Sequence, residues 1–383
     1  MDELYFNNST AQALACVNNF TAPYNLTKKE LYEKVLSDIK EGDTTINPDL
    51  YRAYSENLKR AVSGVLQSGQ YGDKYFDMQQ QFEANLSRFA AYKAYHATQL
   101  LQQHDDPQTQ KAILNTFNRY QAAEYNTAIA RARTAKQWDD FTSNSISNEL
   151  YPNIKWLPSR SANPREEHRV FWNMVWAKDD PFWSENQPGN LWNCKCDWEE
   201  TDEPVTGGTY DYQPPAGLEG NPAQTGEIFT DNASYFNTGN EQEIEKKYKS
   251  FSRENWQSKI SQLYNKTILT EIENTPVKIG FDKTGLRHYL HDLYASTDYI
   301  LKNNLMPFLD KVIANGKLVA REDNTVFLNP EASNYKKRIS KFFYFQIQLP
   351  NKNNAIISIS KFSESDYRLY AISDRLRETA VLY

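Results

Sequence analysis

The chain has 383 residues, which is long enough for two or three domains that each bury a core of their own. Its composition of 39% hydrophobic, 14% aromatic and 24% charged residues excludes wholesale disorder. The sequence contains no run of about 18 apolar residues that could span a bilayer, and its first residues lack the pattern of a secretion signal. We therefore expect a cytosolic product with no membrane partner.

The charge is distributed unevenly along the chain. Residues 241–383 carry 22 Lys and Arg against 17 Asp and Glu, whereas residues 1–240 carry 21 against 32. A basic C-terminal part joined to an acidic N-terminal part suggests that only the former meets a polyanion. Ordinary surface variation explains an excess of this size equally well.

Residues 1–145 are predicted to form a helical region. Thr27 to Glu30 has the form of a capping box, and Asn47 and Asp106 each stand as a cap before a first-turn proline. Apolar residues follow each of these starts at helical spacing, with a further long helix between them. No alternating strand pattern occurs before Tyr151.

The helical spacing of apolar residues ends between Tyr151 and Pro204, where six of the eight tryptophans fall within 43 residues. This density predicts a small irregular module, residues 146–205, packed on aromatic side chains. The following segment, residues 206–240, is rich in glycine and proline. It is predicted to be a linker that is partly ordered over the other domains.

Residues 241–383 mix helix and strand patterns. Helices are predicted at 241–264, 286–294 and 300–315, and strands at 277–281, 325–329, 341–349, 355–362 and 367–373. Helices followed by antiparallel strands form an α+β domain. The predicted fold is therefore multidomain, with a mainly α N-terminal region, a small irregular Trp/Cys-rich module and an α+β C-terminal domain containing a curved antiparallel sheet.

Cys194 and Cys196 lie one residue apart between tryptophans, in a chain with only three cysteines. Cysteines at this spacing are poorly placed to bond each other, so a disulfide framework is not expected. Two thiolates suit zinc, and His168 is the nearest further ligand. The carboxylates that could complete four ligands are those of Asp197, Glu199 and Glu200. Reduced cysteines packed as small hydrophobic side chains are the alternative.

Several unlike motifs follow one another in residues 125–203. An aliphatic and basic helix is followed by Arg165 with His168, then by the run Asp179 to Trp183, and finally by Trp192 to Cys196. In this order the motifs resemble the phage Mu F-like minor head protein family, also called the phage head morphogenesis proteins.

The resemblance implies a virion component inside a tailed-phage head, present in few copies near the portal, with portal and capsid proteins as partners. Many members of that family carry two further cysteines near the position of Arg165, and this chain lacks them. A four-cysteine site is therefore excluded, which leaves at most His168, Cys194 and Cys196, with an unnamed fourth ligand, for a structural zinc ion.

A second candidate site lies in the stretch PVKIGFDKTGLRHYLHDLY, where a strand leads into a helix. A metal-independent ribonuclease needs a base near pH 7 to take the 2′-OH proton and a cation to stabilise the phosphorane. The helix offers Arg287, His288 and His291. Helical spacing places Asp292 on the face of His288, where it could orient the imidazole, and Arg287 and His291 on another face. A solvated helix surface explains the same pattern equally well.

The order of elements in residues 241–383, the motif T-G-x-x-H at Thr284, Gly285 and His288, and the closing sheet resemble the barnase, EndoU, colicin and RelE-like nucleases. Phage head proteins of the family named above often carry such domains. The resemblance implies a ribonuclease that acts on RNA in the host bacterial cytoplasm, with His288 as its catalytic residue.

The same resemblance suggests residues that assist His288. Arg287 or Lys341 would supply positive charge, and Ser358 or Ser360 would lie on the sheet face. The run Tyr335, Lys336, Lys337 and Arg338 places three cations beside an aromatic ring, which suits phosphate and base contacts in RNA. A charged, solvated turn is the alternative for that run.

The leading interpretation is a phage minor head protein with a C-terminal effector ribonuclease. A purely structural minor capsid protein with an inactive C-terminal domain is the first alternative. An ADP-ribosyltransferase toxin is the second, although residues 241–383 lack a convincing Glu-x-Glu signature after a Ser-rich strand.

Overall fold

A computed structural model of the protein describes residues 29–42, 44–260, 263–264, 266–325 and 331–383. The chain divides into two compact units. The N-terminal unit contains the described residues up to Gly69 together with Gln81–Tyr248, and the C-terminal unit contains Gln70–Gln80 and Lys249–Tyr383. No helix in the described ranges is both long and apolar enough to cross a membrane.

The N-terminal part of the chain is helical, as predicted. Its helices are α1 (Lys29–Glu41), α2 (Pro48–Leu66), α3 (Phe76–Gln103), α4 (Pro107–Ser143) and α5 (Ser145–Leu150). Two of the predicted caps are confirmed, because Asn47 Oδ1 accepts from Leu50 N at 3.0 Å and Asp106 Oδ1 from Thr109 N at 2.9 Å. The predicted capping box begins at Thr27, which lies outside the described residues.

The Trp-rich module contains a small sheet that the sequence did not predict. Its strands are β1 (Asn153–Leu157), β2 (Val175–Ala177) and β3 (Asp197–Thr201), in the antiparallel order β2-β1-β3. Strands of three to five residues are too short for alternation to be recognised. Trp156 lies directly opposite Trp198 in the register, so this sheet aligns the tryptophan side chains into one buried cluster.

The Gly/Pro-rich segment 206–240 is packed onto the helices of the N-terminal unit. The guanidinium of Arg131, which is fully buried in α4, donates to the carbonyl oxygens of Leu218 at 2.7 Å and Glu219 at 3.1 Å. Asn85 of α3 donates to the carbonyl oxygen of Phe229 at 2.8 Å and accepts from its backbone nitrogen at 3.0 Å. These bonds satisfy backbone groups that a loop would otherwise bury without partners.

The C-terminal unit has the predicted α+β fold. Two short helices of the N-terminal unit, α6 (Phe182–Glu185) and α7 (Pro222–Thr225), precede it in the chain. The elements that follow them are α8 (Glu241–Ile260), β4 (Thr267–Ile272), β5 (Thr275–Gly280), α9 (Lys283–Ala295), α10 (Tyr299–Leu305), α11 (Leu309–Ala314), β6 (Lys317–Asp323), α12 (Asn334–Lys337), β7 (Lys341–Gln348), β8 (Asn354–Ser363), β9 (Asp366–Ser373) and β10 (Val381–Leu382). Within the described residues, seven strands form one sheet in the order β10-β6-β7-β8-β9-β5-β4.

The sheet is curved, as predicted, but mixed rather than wholly antiparallel. Strand β5 pairs parallel with β9. A parallel pair needs a long crossover connection, which α9 and the later elements between these two strands provide. Glu273, in the β4–β5 turn, accepts from Arg321 of β6 at 2.7 Å and from the Tyr383 hydroxyl at 2.6 Å. The two edges of the sheet therefore approach each other.

The predicted strands 341–349, 355–362 and 367–373 correspond to β7, β8 and β9. Strands β4 and β6 were not predicted, and the predicted helix 300–315 is divided by a 3-10 turn, Met306–Phe308, that contains a proline. Of the strand predicted at 325–329, residues 326–329 lie outside the described residues.

Candidate functional site

Three candidate ligands converge in the Trp-rich module. His168 lies in a 3-10 turn, Glu166–Phe171, while Cys194 and Cys196 lie just before β3. The His168 Nδ1 atom is 3.4 Å from the Cys194 Sγ and 3.8 Å from the Cys196 Sγ. All three ligand atoms lie within 4.8 Å of one another. The cluster could therefore bind a metal ion.

The two thiols differ in their protonation. A hydrogen bond from Cys194 lowers the pKa of Cys196 to about 4, although burial opposes this shift. The same interaction, together with burial, raises the pKa of Cys194 well above its ordinary value. The lowered pKa favours the thiolate form of Cys196, which is the form in which cysteine binds a metal.

A second layer of contacts orients the imidazole of His168. Its Nε2 atom lies 3.0 Å from the hydroxyl of Tyr212, which lies 3.4 Å from the carbonyl oxygen of Asn190. With the proton on Nε2, the ring donates to Tyr212, and Tyr212 donates to that carbonyl. This tautomer directs the Nδ1 lone pair towards the two sulfur atoms, where it could bind a metal ion. No spacing in the sequence predicts the contribution of Tyr212, because it lies 44 residues from His168.

Two of the three carboxylates that could serve as a fourth ligand have other partners. Asp197 accepts from Arg160 at 3.1 Å and from Gln137 at 3.2 Å. Glu200 pairs with Lys178 in a half-buried ion pair. Glu199 is exposed on β3. Among the described residues, no carboxylate joins the three ligand atoms.

In the C-terminal unit, His288 projects from α9 towards β9. Asp282 caps the start of this helix, and its Oδ1 accepts from the Gly285 backbone nitrogen at 2.6 Å. The imidazole of His288 stacks on the ring of Tyr370, with 4.9 Å between centroids, and Tyr335 lies 6.4 Å away. Burial lowers the pKa of His288, and the positive charge of Lys336 lowers it further. Both effects favour the neutral form of the imidazole at pH 7.

An ion-pair network borders His288. Arg368 of β9 donates to Asp282 at 2.5 Å and to Asp366 at 2.6 and 2.8 Å. The hydroxyl of Tyr335 donates to the same Asp282 carboxylate at 3.2 Å. This network joins the start of α9 to β9 and to α12. The structure thus brings the predicted catalytic histidine together with Tyr335 and Lys336 of the predicted RNA-binding run.

The other predicted catalytic groups have different surroundings. Arg287 lines a separate cavity, and Lys341 forms an ion pair with Asp323 at 3.2 Å. Asp292 lies 3.1 Å from the Nδ1 atom of His291. It also raises the pKa of His288 electrostatically, although burial and Lys336 outweigh this effect.

The remaining predicted site residues lie on the sheet and on the run after β6. Ser358 and Ser360 are buried, and the hydroxyl of Ser360 donates to the Arg368 carbonyl oxygen at 3.2 Å. Lys337 ends α12, and the guanidinium of Arg338 lies 5.8 Å from the ring centroid of Phe362. The hydroxyls of the two serines are therefore part of the packed sheet rather than exposed on its surface.

Comparisons with known proteins give two matches. Residues 247–370 match the domain family described as Large polyvalent protein-associated domain 3. A stretch of 48 residues is 40% identical to the "Putative capsid assembly protein F" of Escherichia phage Mu, which covers 12% of this chain and 11% of that protein. No solved structure matches the chain. The two matches support a phage-associated protein that is similar to a capsid assembly protein over one short segment.

Proposed function

We propose that this chain is a minor component of a phage head, assembled near the portal and in contact with portal and capsid proteins. The observation that carries the proposal is the 48-residue similarity to a phage Mu protein named for capsid assembly. The His/Cys/Trp module supports it, because the resemblance to phage head proteins rests on those residues. The acidic N-terminal part suits contacts with protein better than contacts with DNA.

Particles made by the genetic element that encodes the chain provide the test. Mass spectrometry of gradient-purified particles is expected to detect the chain at low copy number relative to the major capsid protein. Deleting the gene is expected to reduce the yield of complete heads. Particles that form normally and never contain the chain would contradict the proposal.

The ligand cluster fits zinc in a structural role. In tetrahedral zinc sites the histidine nitrogen and cysteine sulfur ligands lie about 3.6 Å apart, close to the 3.4 and 3.8 Å seen here. His168, Cys194 and Cys196 would hold the ion, and Tyr212 would orient the histidine ligand. Bound zinc would tie the 3-10 turn to the start of β3 and stabilise the tryptophan cluster.

Metal analysis of the purified full-length chain tests this assignment. We expect about one zinc ion per chain in the native protein and loss of that zinc in a Cys194→Ser/Cys196→Ser variant. His104→Gln is the matched control, because His104 is a described histidine that is not part of the cluster, and this variant is expected to retain zinc. A folded native protein that contains no zinc after purification without chelators would refute the assignment.

We further propose that the C-terminal unit cleaves RNA at His288. A neutral, half-buried imidazole beside a cation and two tyrosine rings supports this role. The imidazole would take the proton of a ribose 2′-OH, and the 2′-oxygen would attack the adjacent phosphorus. The bond to the 5′-oxygen would break, the imidazolium would return its proton to that oxygen to give a 5′-hydroxyl, and a 2′,3′-cyclic phosphate would remain. Lys336, rather than Arg287 or Lys341, would stabilise the phosphorane charge.

Induced expression of the full chain in bacteria tests the nuclease proposal, with total RNA analysed by gel and by end-group chemistry. We expect RNA fragments that end in 2′,3′-cyclic phosphate and a loss of cleavage of about 100-fold in His288→Gln. His104→Gln is the matched control, because His104 lies in the N-terminal unit. Fragments ending in 3′-OH, or equal cleavage by His288→Gln, would contradict the mechanism. Intact RNA with the soluble native chain would favour the purely structural alternative.

A further inference from the structure

The C-terminal unit contains a cavity that none of the roles above uses. Its volume is about 730 Å³, which lies within the range typical of small-molecule sites. The described residues that line it include Arg253, Tyr264, Arg287, His291 and Tyr294. Arg253 belongs to α8 and the last three residues to α9. Because His288 contacts tyrosine rings outside this set, the cavity is distinct from the surroundings of that histidine.

The cavity wall carries two arginine side chains that have no carboxylate partner in the described part of the chain. Within the described ranges, neither Arg253 nor Arg287 forms an ion pair with a carboxylate. The third basic side chain, His291, lies 3.1 Å from Asp292. A planar guanidinium binds the oxygens of a phosphate through two parallel hydrogen bonds. Two such groups at one cavity therefore point to a phosphate ligand.

The aromatic part of the wall points to the rest of the ligand. Tyr264 and Tyr294 line the cavity, and phenol rings stack on nucleobases. The Tyr294 hydroxyl is buried and has no hydrogen-bond partner among the described residues. Burial raises the pKa of Tyr294, while the charge of Arg253 lowers it, which indicates that the guanidinium lies near this hydroxyl. Arg253 and Tyr294 therefore lie on the same part of the cavity wall.

We infer that this cavity binds a nucleoside monophosphate, with the phosphate held by Arg253 and Arg287 and the base stacked on the tyrosine rings. The same chemistry is offered by a free nucleotide and by the 5′-terminal nucleotide of an RNA strand. The inference does not depend on RNA cleavage at His288, because it concerns different side chains and is tested by binding.

Isothermal titration of the full-length chain tests the inference, with adenosine monophosphate, adenosine and inorganic phosphate as separate probes. We expect the monophosphate to bind at least about tenfold more tightly than either of the other two, because only it engages both parts of the wall. Arg253→Ala and Arg287→Ala are each expected to weaken its binding about tenfold or more. Arg375→Ala, which removes an exposed cation from the same unit, is the matched control and is expected to leave the affinity unchanged.

Each result of these titrations either supports or overturns nucleotide binding in the cavity. Inorganic phosphate binding as tightly as the monophosphate, or the absence of saturable binding, would overturn it, as would equal weakening by Arg375→Ala. A 5′-phosphorylated oligoribonucleotide that binds tighter than the monophosphate, measured in His288→Gln to prevent cleavage, would identify an RNA end as the source of the ligand. Nucleotide binding by a chain that cleaves no RNA would support the inference and refute only the nuclease proposal.

Discussion

The ion pair between Lys93 and Glu124 is buried at the centre of the helical part of the N-terminal unit. Burial lowers the pKa of the lysine and raises that of the glutamate, because both charges are removed from water. Two contacts compensate this cost. The Tyr235 hydroxyl donates to Glu124 at 3.1 Å, and the ammonium group lies 4.6 Å from the centroid of the Tyr54 ring.

Removing one partner is expected to cost more than removing both. Lys93→Met would leave Glu124 buried without its counter-charge and should lower the free energy of unfolding by about 3 to 5 kcal/mol. The double variant Lys93→Met/Glu124→Leu should recover most of that loss, because it leaves no unpaired buried charge. Urea unfolding followed by tryptophan fluorescence measures both values. Equal destabilisation in the single and double variants would contradict this account.

His96 makes the stability of the N-terminal unit dependent on pH. Its Nε2 atom lies 3.0 Å from the carbonyl oxygen of Tyr235, and burial lowers the pKa of the imidazole below its ordinary value near 6.5. The unfolded chain therefore binds a proton at a pH at which the folded chain does not. Stability is expected to be constant above about pH 6.5 and to fall as the pH decreases towards the lower folded-state pKa.

Thermal unfolding between pH 7.5 and 5.5 tests this prediction for His96→Gln beside the native chain. Below pH 6.5, the melting temperature of the variant is expected to fall less than that of the native chain. His104→Gln is the control for loss of a histidine and should behave like the native chain. Identical pH profiles for native protein and His96→Gln would contradict the assignment.

At the level of elements, the close approach of α9 to β9 sets the position of His288. Gly285, in the first turn of α9, permits this approach because a Cβ atom at this position would lie 2.1 Å from the Leu369 carbonyl oxygen. Backbone atoms cannot move aside as a flexible side chain can. The glycine in the motif T-G-x-x-H is therefore explained by packing, and it lets His288 reach the ring of Tyr370.

Gly285→Ala is expected to destabilise the C-terminal unit by about 1 to 3 kcal/mol or more, because the helix must shift away from β9. Gly280→Ala, at the end of β5, is the matched control. Its added Cβ would meet the Tyr367 carbonyl oxygen at 3.7 Å, an ordinary contact, so the change should stay within about 0.5 kcal/mol. Hydrogen exchange of α9 and β9 reports both effects. Similar protection in the two variants would show that the contact with β9 is not restrictive.

At the level of the whole molecule, the proposed zinc ion would act on one unit only, because all three ligands lie in the N-terminal unit. Chelation of the full-length chain is expected to reduce hydrogen-exchange protection in β1, β2 and β3 and in the segment 206–240, which contributes Tyr212. Protection of β7, β8 and β9 should remain unchanged. Loss of protection in both units at the same chelator concentration would contradict a local structural role.

The sequence by itself determined the features that depend on neighbours within a few residues. Asn47 and Asp106 start helices because their side chains bond backbone groups two and three residues ahead, and the strands β7, β8 and β9 follow their own alternation. The closeness of Cys194 to Cys196, one residue apart, was likewise visible in the sequence. These local signals were enough to predict the fold class of the C-terminal unit, an α+β domain with a curved sheet.

Only the tertiary structure decided which distant residues meet. It brought Tyr212 to His168 and both Tyr335 and Lys336 to His288, and it placed Arg287 at another cavity and Lys341 in an ion pair with Asp323. The parallel pairing of β5 with β9 and the short strands of the Trp-rich module also emerged only at this level. The physical reason is that caps and periodicities act along a few residues of chain, whereas contacts between distant residues depend on how whole elements pack their buried faces.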